Sequence, residues 1–72
     1  MREYKGKTLK KIEWQELKAI GITEEALKEN YNNSDIDIYI DNDDNIYEFN
    51  STDGGYVGDW TKATFIQWFN EI

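Results

Sequence analysis

The 72-residue sequence contains no cysteine and no histidine. Without cysteine, the chain can form neither a disulfide nor a thiolate zinc site, and it has no thiol nucleophile. Without histidine, it lacks the commonest general base and the commonest metal ligand of proteins. These absences remove most hydrolytic and zinc chemistry, so we predict that the protein is not an enzyme and uses no cofactor.

Long hydrophobic segments are also missing. No apolar run approaches the roughly 20 residues that a membrane-spanning helix needs. The N-terminal region is polar and lysine-rich, with no hydrophobic core of a signal peptide. We therefore expect a cytoplasmic protein that does not meet the membrane, folded as one small domain over residues 1–72, since no second domain fits in this length.

Basic residues are scarce in the second part of the chain. Residues 1–28 carry seven Lys or Arg and five acids, a net charge of +2, whereas residues 29–72 carry one Lys and ten acids, a net charge of -9. The interval from 35 to 59 has eight acids and no base. Such a field repels nucleic-acid phosphates, so we predict no direct nucleic-acid binding and favour a basic protein partner.

Residues 35–60 are predicted to form a three-stranded antiparallel meander. Ile36, Ile38 and Ile40 alternate with polar residues at the period of a half-buried strand. Turn-forming residues at 42–45 and 53–55 divide the segment into three strands.

The register of the first hairpin follows from which side chains need burial. With Ile40 opposite Tyr47 and Ile38 opposite Phe49, nearly all large apolar residues share one face. The other face would be exposed and would carry Asp37, Tyr39, Asp41, Ile46, Glu48 and Asn50. A shift by one residue would bury Glu48 without a partner, at a cost of several kcal/mol, so we predict the unshifted register.

Three helices are predicted around this sheet. After an irregular lead-in at residues 1–7, the first runs from an N-cap at Thr8 to a left-handed C-cap at Gly21. The second starts at the N-cap Thr23, and the third starts at the N-cap Thr61. The third has a core face made of Phe65, Trp68, Phe69 and Ile72. The predicted fold class is therefore α+β, with element order ααβββα.

The turn at residues 41–45 partly matches a calcium-binding loop. Asp41, Asp43 and Asn45 supply oxygen ligands at the first, third and fifth positions. However, Ile46 occupies the sixth position, where glycine is needed, and Thr52 occupies the twelfth, where a bidentate glutamate is needed. We predict an ordinary polar turn and keep calcium binding as the alternative.

Residues 12–31 could also form a helix-turn-helix around Gly21, which gives the alternative of a DNA-binding regulator. The second helix of that motif would carry Glu24, Glu25 and Glu29 against Lys28 alone, which is the wrong charge for phosphate contact. The hypothesis further requires lysines presented on one side, away from the acidic sheet: Lys5, Lys7, Lys10, Lys11 and Lys18.

A short acidic chain without cysteine or histidine, with an α+β order and acids along its sheet, resembles small accessory proteins of phages and mobile elements of Gram-positive bacteria. These include DNA-mimicking inhibitors, among them some anti-CRISPR and glycosylase-inhibitor proteins. The resemblance implies an inhibitor or modulator that docks on a basic, nucleic-acid-binding host protein. From the sequence, the partner-binding residues are predicted to be Asp35, Asp37, Tyr39, Asp41, Asp43, Asp44, Glu48 and Asp59. Acidity that serves solubility alone is the remaining alternative.

Self-association is predicted to be weak. The first strand of the meander carries several acids, so two copies meeting along it would bring like charges together. The third strand and the last helix, residues 56–69, are nearly uncharged and rich in aromatic residues. We expect a monomer, or a weak homodimer through this second region.

Overall fold

The computed structural model describes residues 1–31 and 35–71. In chain order it contains β1 (Arg2–Tyr4), β2 (Lys7–Lys11), α1 (Trp14–Ile20), α2 (Glu24–Ala26) continued by a π-helical segment (Leu27–Tyr31), β3 (Ile36–Ile40), β4 (Ile46–Asn50), β5 (Tyr56–Trp60) and α3 (Lys62–Asn70). The strands form one antiparallel sheet in the order β1-β2-β3-β4-β5. The class is α+β, but the predicted three-stranded meander with order ααβββα is wrong, because two further strands precede α1.

The N-terminal hairpin, β1 and β2, replaces the predicted lead-in. Tyr4 pairs with Lys7, so only two residues form the loop. Lys5 and Gly6 both have positive φ, 49° and 78°. A two-residue loop with positive φ at both positions is the type I′ turn, whose twist matches that of paired strands. The Lys5-Gly6 pair is therefore a hairpin turn, where the sequence analysis placed an irregular segment.

The predicted start of the first helix at Thr8 is also wrong. Residues 8–11 belong to β2, and only Leu9 in that strand is fully buried, so the strand shows no clear alternation of apolar residues. Helix α1 begins at Trp14. Glu13 is its N-cap, and Glu13 and Glu16 form a reciprocal capping box. The helix is thus half as long as its apolar periodicity predicted.

The register of β3 and β4 is shifted by one residue from the prediction. Ile38 lies opposite Glu48, and Tyr39 lies opposite Tyr47. This register sends Tyr47 and Phe49 to one side of the sheet and the isoleucines of β3 to the other. The prediction assumed that only one side of the sheet is buried, whereas here both sides are buried, so the apolar side chains of the two strands need not share a face.

The side of the sheet that carries Tyr47 is the inside of a strongly curled half-barrel. Tyr4 on β1 stacks on Tyr56 on β5, with ring centroids 5.2 Å apart. In a flat sheet those edge strands would lie about 19 Å apart, at about 4.8 Å per strand. We call this inner side the tyrosine face; its members are Tyr4, Leu9, Tyr39, Tyr47, Phe49 and Tyr56. The curl therefore gives the small domain a second core.

The helices pack on the outer side of the sheet, here called the isoleucine face. This main core contains Ile12, Leu17, Ile22, Ala26, Leu27, Ile38, Ile46, Phe65 and Phe69. Ile46 is fully buried here, whereas the predicted register would have exposed it. Burying one isoleucine contributes about 1.5–3 kcal/mol, which offsets much of the cost of placing a carboxylate on the same face.

Three predicted helix ends are confirmed. Gly21 is the left-handed C-cap of α1, at φ 116°. Thr23 caps α2, and Thr61 caps α3 through the backbone N–H of Thr64. Ile72, predicted on the core face of α3, lies outside the described residues. No helix within residues 1–31 and 35–71 is long and apolar enough to cross a membrane.

The contact between Gly58 and Trp60 gives a test of the packing on β5. A Cβ at Gly58 would lie 2.9 Å from Cη2 of Trp60. The Trp60 ring is itself stacked on Trp68 at 5.3 Å, so it cannot move aside freely. We expect Gly58→Ala to destabilise the protein by about 1–2 kcal/mol in urea unfolding, through overpacking. Val57→Ala, at the exposed neighbour, is the control. If Gly58→Ala is as stable as the native chain, the Trp60 ring does not cover Gly58.

Candidate functional site

The eight residues predicted to bind a partner do not share one face. Four of them are exposed: Asp35, Asp43, Asp44 and Asp59. Asp37 and Tyr39 are partly buried on the tyrosine face, and Asp41 and Glu48 are buried. The predicted continuous acidic stripe along the sheet is therefore absent from the described residues, and each group needs its own interpretation.

Asp41 organises the turn between β3 and β4. Its side chain is 3% exposed. The carboxylate accepts hydrogen bonds from the backbone N–H groups of Asp43 and Asn45 and from the Tyr47 hydroxyl, at 2.8, 3.0 and 2.9 Å. Burial acts to raise the pKa of Asp41, but these hydrogen bonds outweigh it and lower that pKa to about 2. Asp41 is thus a structural carboxylate and has no surface to offer a partner.

Asp37 and Asp41 are both neutralised by lysines of β2. Lys11 lies 3.5 Å from a carboxylate oxygen of Asp37, and Lys7 lies 3.5 Å from Asp41. Asp37 raises the pKa of Lys11 by its charge. These pairs were not predicted, because Lys7 was placed in the irregular lead-in and Lys11 on the first helix. A strand would have been signalled by the Lys5-Gly6 turn and by the spacing of Lys7, Leu9 and Lys11, which lie on the same side of β2.

Tyr39 packs within the tyrosine face. Its ring meets the edge of Phe49 at a centroid distance of 5.5 Å. The guanidinium of Arg2 lies 3.8 Å from the Phe49 centroid and 5.9 Å from that of Tyr39. These contacts hold much of the tyrosine ring within the fold, so only part of it is left for the partner binding that was predicted.

Three of the exposed acids lie at one end of the sheet. Asp43 and Asp44 are in the β3–β4 turn, and Asp59 pairs with Tyr47 close to that turn. The Tyr56 hydroxyl donates a hydrogen bond to Asp59, which raises the pKa of Tyr56 to about 12. Asp35 is at the opposite end, where its carbonyl accepts from the N–H of Ser51.

The structure gives no support to the calcium alternative. Among residues 1–31 and 35–71 there is no group of three or more acids placed to hold a metal ion. Oδ1 of Asp41, the first position of the supposed loop, already accepts hydrogen bonds from two backbone N–H groups, so it is engaged within the turn.

Three of the five lysines that a DNA-binding regulator would have to present on one side lie beside acids. Lys7 and Lys11 lie on the sheet against Asp41 and Asp37. Lys10 lies 3.4 Å from Glu16 of α1. No separate basic side, turned away from the acids, forms from these side chains.

Glu48 lines a cavity between the sheet and the end of α3. The cavity has a volume of about 280 Å³ and is lined by Asn30, Ile36, Ile38, Glu48, Trp68, Phe69 and Glu71. Ile38, Glu48 and Phe69 are buried and form its floor, while Asn30, Trp68 and Glu71 are exposed and form its rim. The shape is that of a small apolar pocket with one carboxylate inside and one at the mouth.

The carboxylate of Glu48 has no partner within the described part of the chain. The residue is 5% exposed, and no hydrogen bond or ion pair to it forms among these residues. No described side-chain oxygen or nitrogen is both sealed from solvent and unpartnered, so the carboxylate oxygens must open into the cavity. Burial raises the pKa of Glu48 to about 7. The pocket thus contains a carboxylate that is half ionised near neutral pH.

Sequence reasoning missed Trp68 and Glu71 as members of this site. Trp68 was assigned to the core, but it is 50% exposed and stacks on Trp60. Glu71 attracted no attention because it lay within the predicted third helix and outside its core face. Gly58, opposite Glu48, is no signal for the cavity, because the Trp60 ring fills the space beside it.

Comparison with known proteins gives no relative of this chain: no family model, no curated protein and no solved structure matches it. Function must therefore be argued from the charges and the cavity described above.

Proposed function

We propose that the protein is a small acidic binding module that docks on a basic surface of a nucleic-acid-binding protein and so inhibits or modulates it. The observation that supports this proposal is how the fold sorts its acids. Asp37 and Asp41, which face inward, are paired with lysines, whereas Asp43, Asp44 and Asp59 remain exposed. These three exposed acids keep their charge at the surface, where it attracts a basic partner.

The contact surface is best placed at the end of the sheet that holds Asp43, Asp44 and Asp59. We call it the acidic end. Asp35 lies at the far end of β3, about 17 Å away along a five-residue strand, so one small basic patch cannot reach both. Lys5 also lies near the acidic end, with its ammonium 5.5 Å from the Tyr4 ring centroid. The three exposed acids outnumber it, and the local charge stays negative.

Charges at the exposed rim of a protein interface mainly affect the association rate of the two proteins and the salt dependence of their binding. The proposal therefore leads to binding that weakens as ionic strength rises, because exposed charges are screened over about 8 Å at physiological salt. It also disfavours direct nucleic-acid binding, since the same carboxylates repel phosphates.

Asp43→Asn/Asp44→Asn should weaken capture of the partner by about fivefold to tenfold at low salt, because two rim charges are lost. Asn tolerates the left-handed conformation at Asp44, whose φ is 65°, so the turn should be retained. The measurement is a pull-down from a lysate of the source organism at two ionic strengths, with identification of the captured proteins.

Glu24→Gln/Glu25→Gln is the matched control, because it removes the same charge from exposed positions of α2. It should leave capture at the level of the native chain. Recovery of no nucleic-acid-binding protein at low salt, or equal loss of capture in both double variants, would contradict the proposal and leave solubility as the role of the acids.

A further inference from the structure

We propose that the cavity around Glu48 is a binding site for an alkylammonium group: a short apolar chain that ends in a protonated amine. The chemistry is that of a lysine side chain or of a free primary amine of similar length. This inference is independent of the proposed partner at the acidic end, because the cavity lies on the isoleucine face, behind α3.

The geometry of the cavity matches each part of such a ligand. Ile36, Ile38 and Phe69 give apolar walls for a methylene chain. The unpartnered carboxylate of Glu48 lies at the floor, where a cationic head would arrive. At about 280 Å³, the cavity is just below the usual range of ligand pockets, about 300–1,000 Å³, which suits a single side chain or a small amine.

Two further residues of the lining strengthen the preference for a cation. Trp68 is half exposed at the rim, and an indole ring attracts an ammonium group that passes close to it. Glu71 adds a second carboxylate at the mouth. A hard metal cation does not fit, because calcium needs six to eight oxygen ligands and the described lining supplies two carboxylates and one amide oxygen.

The charge of Glu48 makes the binding depend on pH. Among the described residues, Glu71 is the other titratable side chain that lines the cavity, whereas β3 contributes isoleucines and the π-helical segment contributes Asn30. Burial raises the pKa of Glu48 to about 7, so its carboxylate is mainly neutral at pH 6 and mainly ionised at pH 8. A bound ammonium favours the ionised form, and affinity should therefore fall as the pH is lowered.

The probes are n-butylammonium, N-acetyl-lysine N-methylamide and, as the neutral analogue, n-butanol. Binding is followed by NMR through the carboxyl carbon of Glu48 and the indole N–H of Trp68. At pH 8 both amines should shift these two signals with millimolar dissociation constants, as expected for ligands of so few atoms. The affinity should be about tenfold lower at pH 6, because protonation of one carboxylate competes with binding.

Glu48→Gln should weaken binding of both amines by about tenfold or more, while Glu24→Gln, with the same change in net charge, should leave it unaltered. Tighter binding of the lysine derivative assigns the site to a polypeptide lysine, and tighter binding of n-butylammonium assigns it to a free amine. The proposal is overturned if n-butanol shifts the same signals as strongly, if Glu48→Gln binds like the native chain, or if neither signal moves. The wild-type titrations decide the question even if a variant misfolds.

Discussion

Glu48→Gln should stabilise the protein at pH 8 by about 3 kcal/mol, the largest gain that we expect from any single substitution. The pKa of Glu48 rises from its ordinary 4.5 to about 7 in the fold. Each unit of pKa is worth about 1.4 kcal/mol of difference between the two protonation states. A domain of this size is typically held by about 3–5 kcal/mol, so the expected gain is a large fraction of its stability.

The direction of the pH dependence of stability follows from whether the folded or the unfolded state binds the Glu48 proton more tightly. Because the pKa of Glu48 is higher in the folded state, folding is favoured at low pH, and this contribution is complete below about 4.5. It is lost as the pH rises through about 7. The native chain should therefore be more stable at pH 5 than at pH 8, and Glu48→Gln should remove most of that difference.

Urea unfolding at pH 5 and pH 8 measures the effect, with Glu24→Gln as a control that changes the same net charge at an exposed site. The urea unfolding curves of Glu48→Gln at the two pH values should nearly coincide. The curves of Glu24→Gln should differ between the two pH values as much as those of the native chain do. Equal stability of the native chain and Glu48→Gln at pH 8 would show that Glu48 is solvated.

Asp41→Ala should have the largest destabilising effect, about 3 kcal/mol or more. The substitution removes the acceptor of the backbone N–H groups of Asp43 and Asn45 and leaves the Tyr47 hydroxyl without its partner. Hydrogen bonds to charged groups contribute about 1.5–3 kcal/mol each, although the turn will relax in part. Both hairpin strands next to the turn should loosen.

The charge of Asp41 also affects the stability of the folded state at acid pH. Its pKa is lowered from 3.8 to about 2 in the folded state, so ionised Asp41 contributes about 2 kcal/mol above pH 4. That contribution is lost as the pH falls through about 2. Asp41→Asn should reduce the loss of stability between pH 4 and pH 2, and Asp43→Asn, an exposed change in the same turn, should not. If Asp41→Ala unfolds at the same urea concentration as the native chain, Asp41 does not stabilise the turn.

The features that could be predicted from sequence are those that depend on local chemistry. Helix α3 was located from its N-cap at Thr61 and from its apolar face, on which Phe65 and Phe69 are buried. Gly21 marked the end of α1 because only a left-handed residue closes the helix there. The strands β3 to β5 were also located, through the alternation beginning at Ile36 and the turns that follow it.

The register and the N-terminal hairpin could not be predicted because they depend on each other. Tyr47 and Phe49 turn inward only because Leu9 and Tyr4, on β2 and β1, cover them there. If residues 8–13 are taken as helix, nothing covers Tyr47 and Phe49 on that side of the sheet. The register that leaves Glu48 exposed then has the lower predicted free energy. The missing strand therefore changed the predicted environment of Glu48, which lies far away in sequence.

A buried carboxylate that lowers stability at neutral pH is a feature that a purely structural core would be expected to lose. Replacement of buried charges by uncharged groups of similar shape is often neutral or stabilising. Binding sites commonly hold such groups at a cost in stability, because the same desolvation that weakens the fold strengthens the contact with a ligand. The opposing effects expected for Glu48→Gln, greater stability and lost amine binding, are what that trade-off predicts.

The most direct test is the titration of the Glu48 carboxyl carbon by NMR in the native chain. The register with Glu48 opposite Ile38, in the cavity, predicts a pKa of about 7. It also predicts a decrease of that pKa when n-butylammonium is added. A pKa near the ordinary 4.5, unchanged by the amine, would place Glu48 on a solvated face of the sheet and contradict both the register and the binding site.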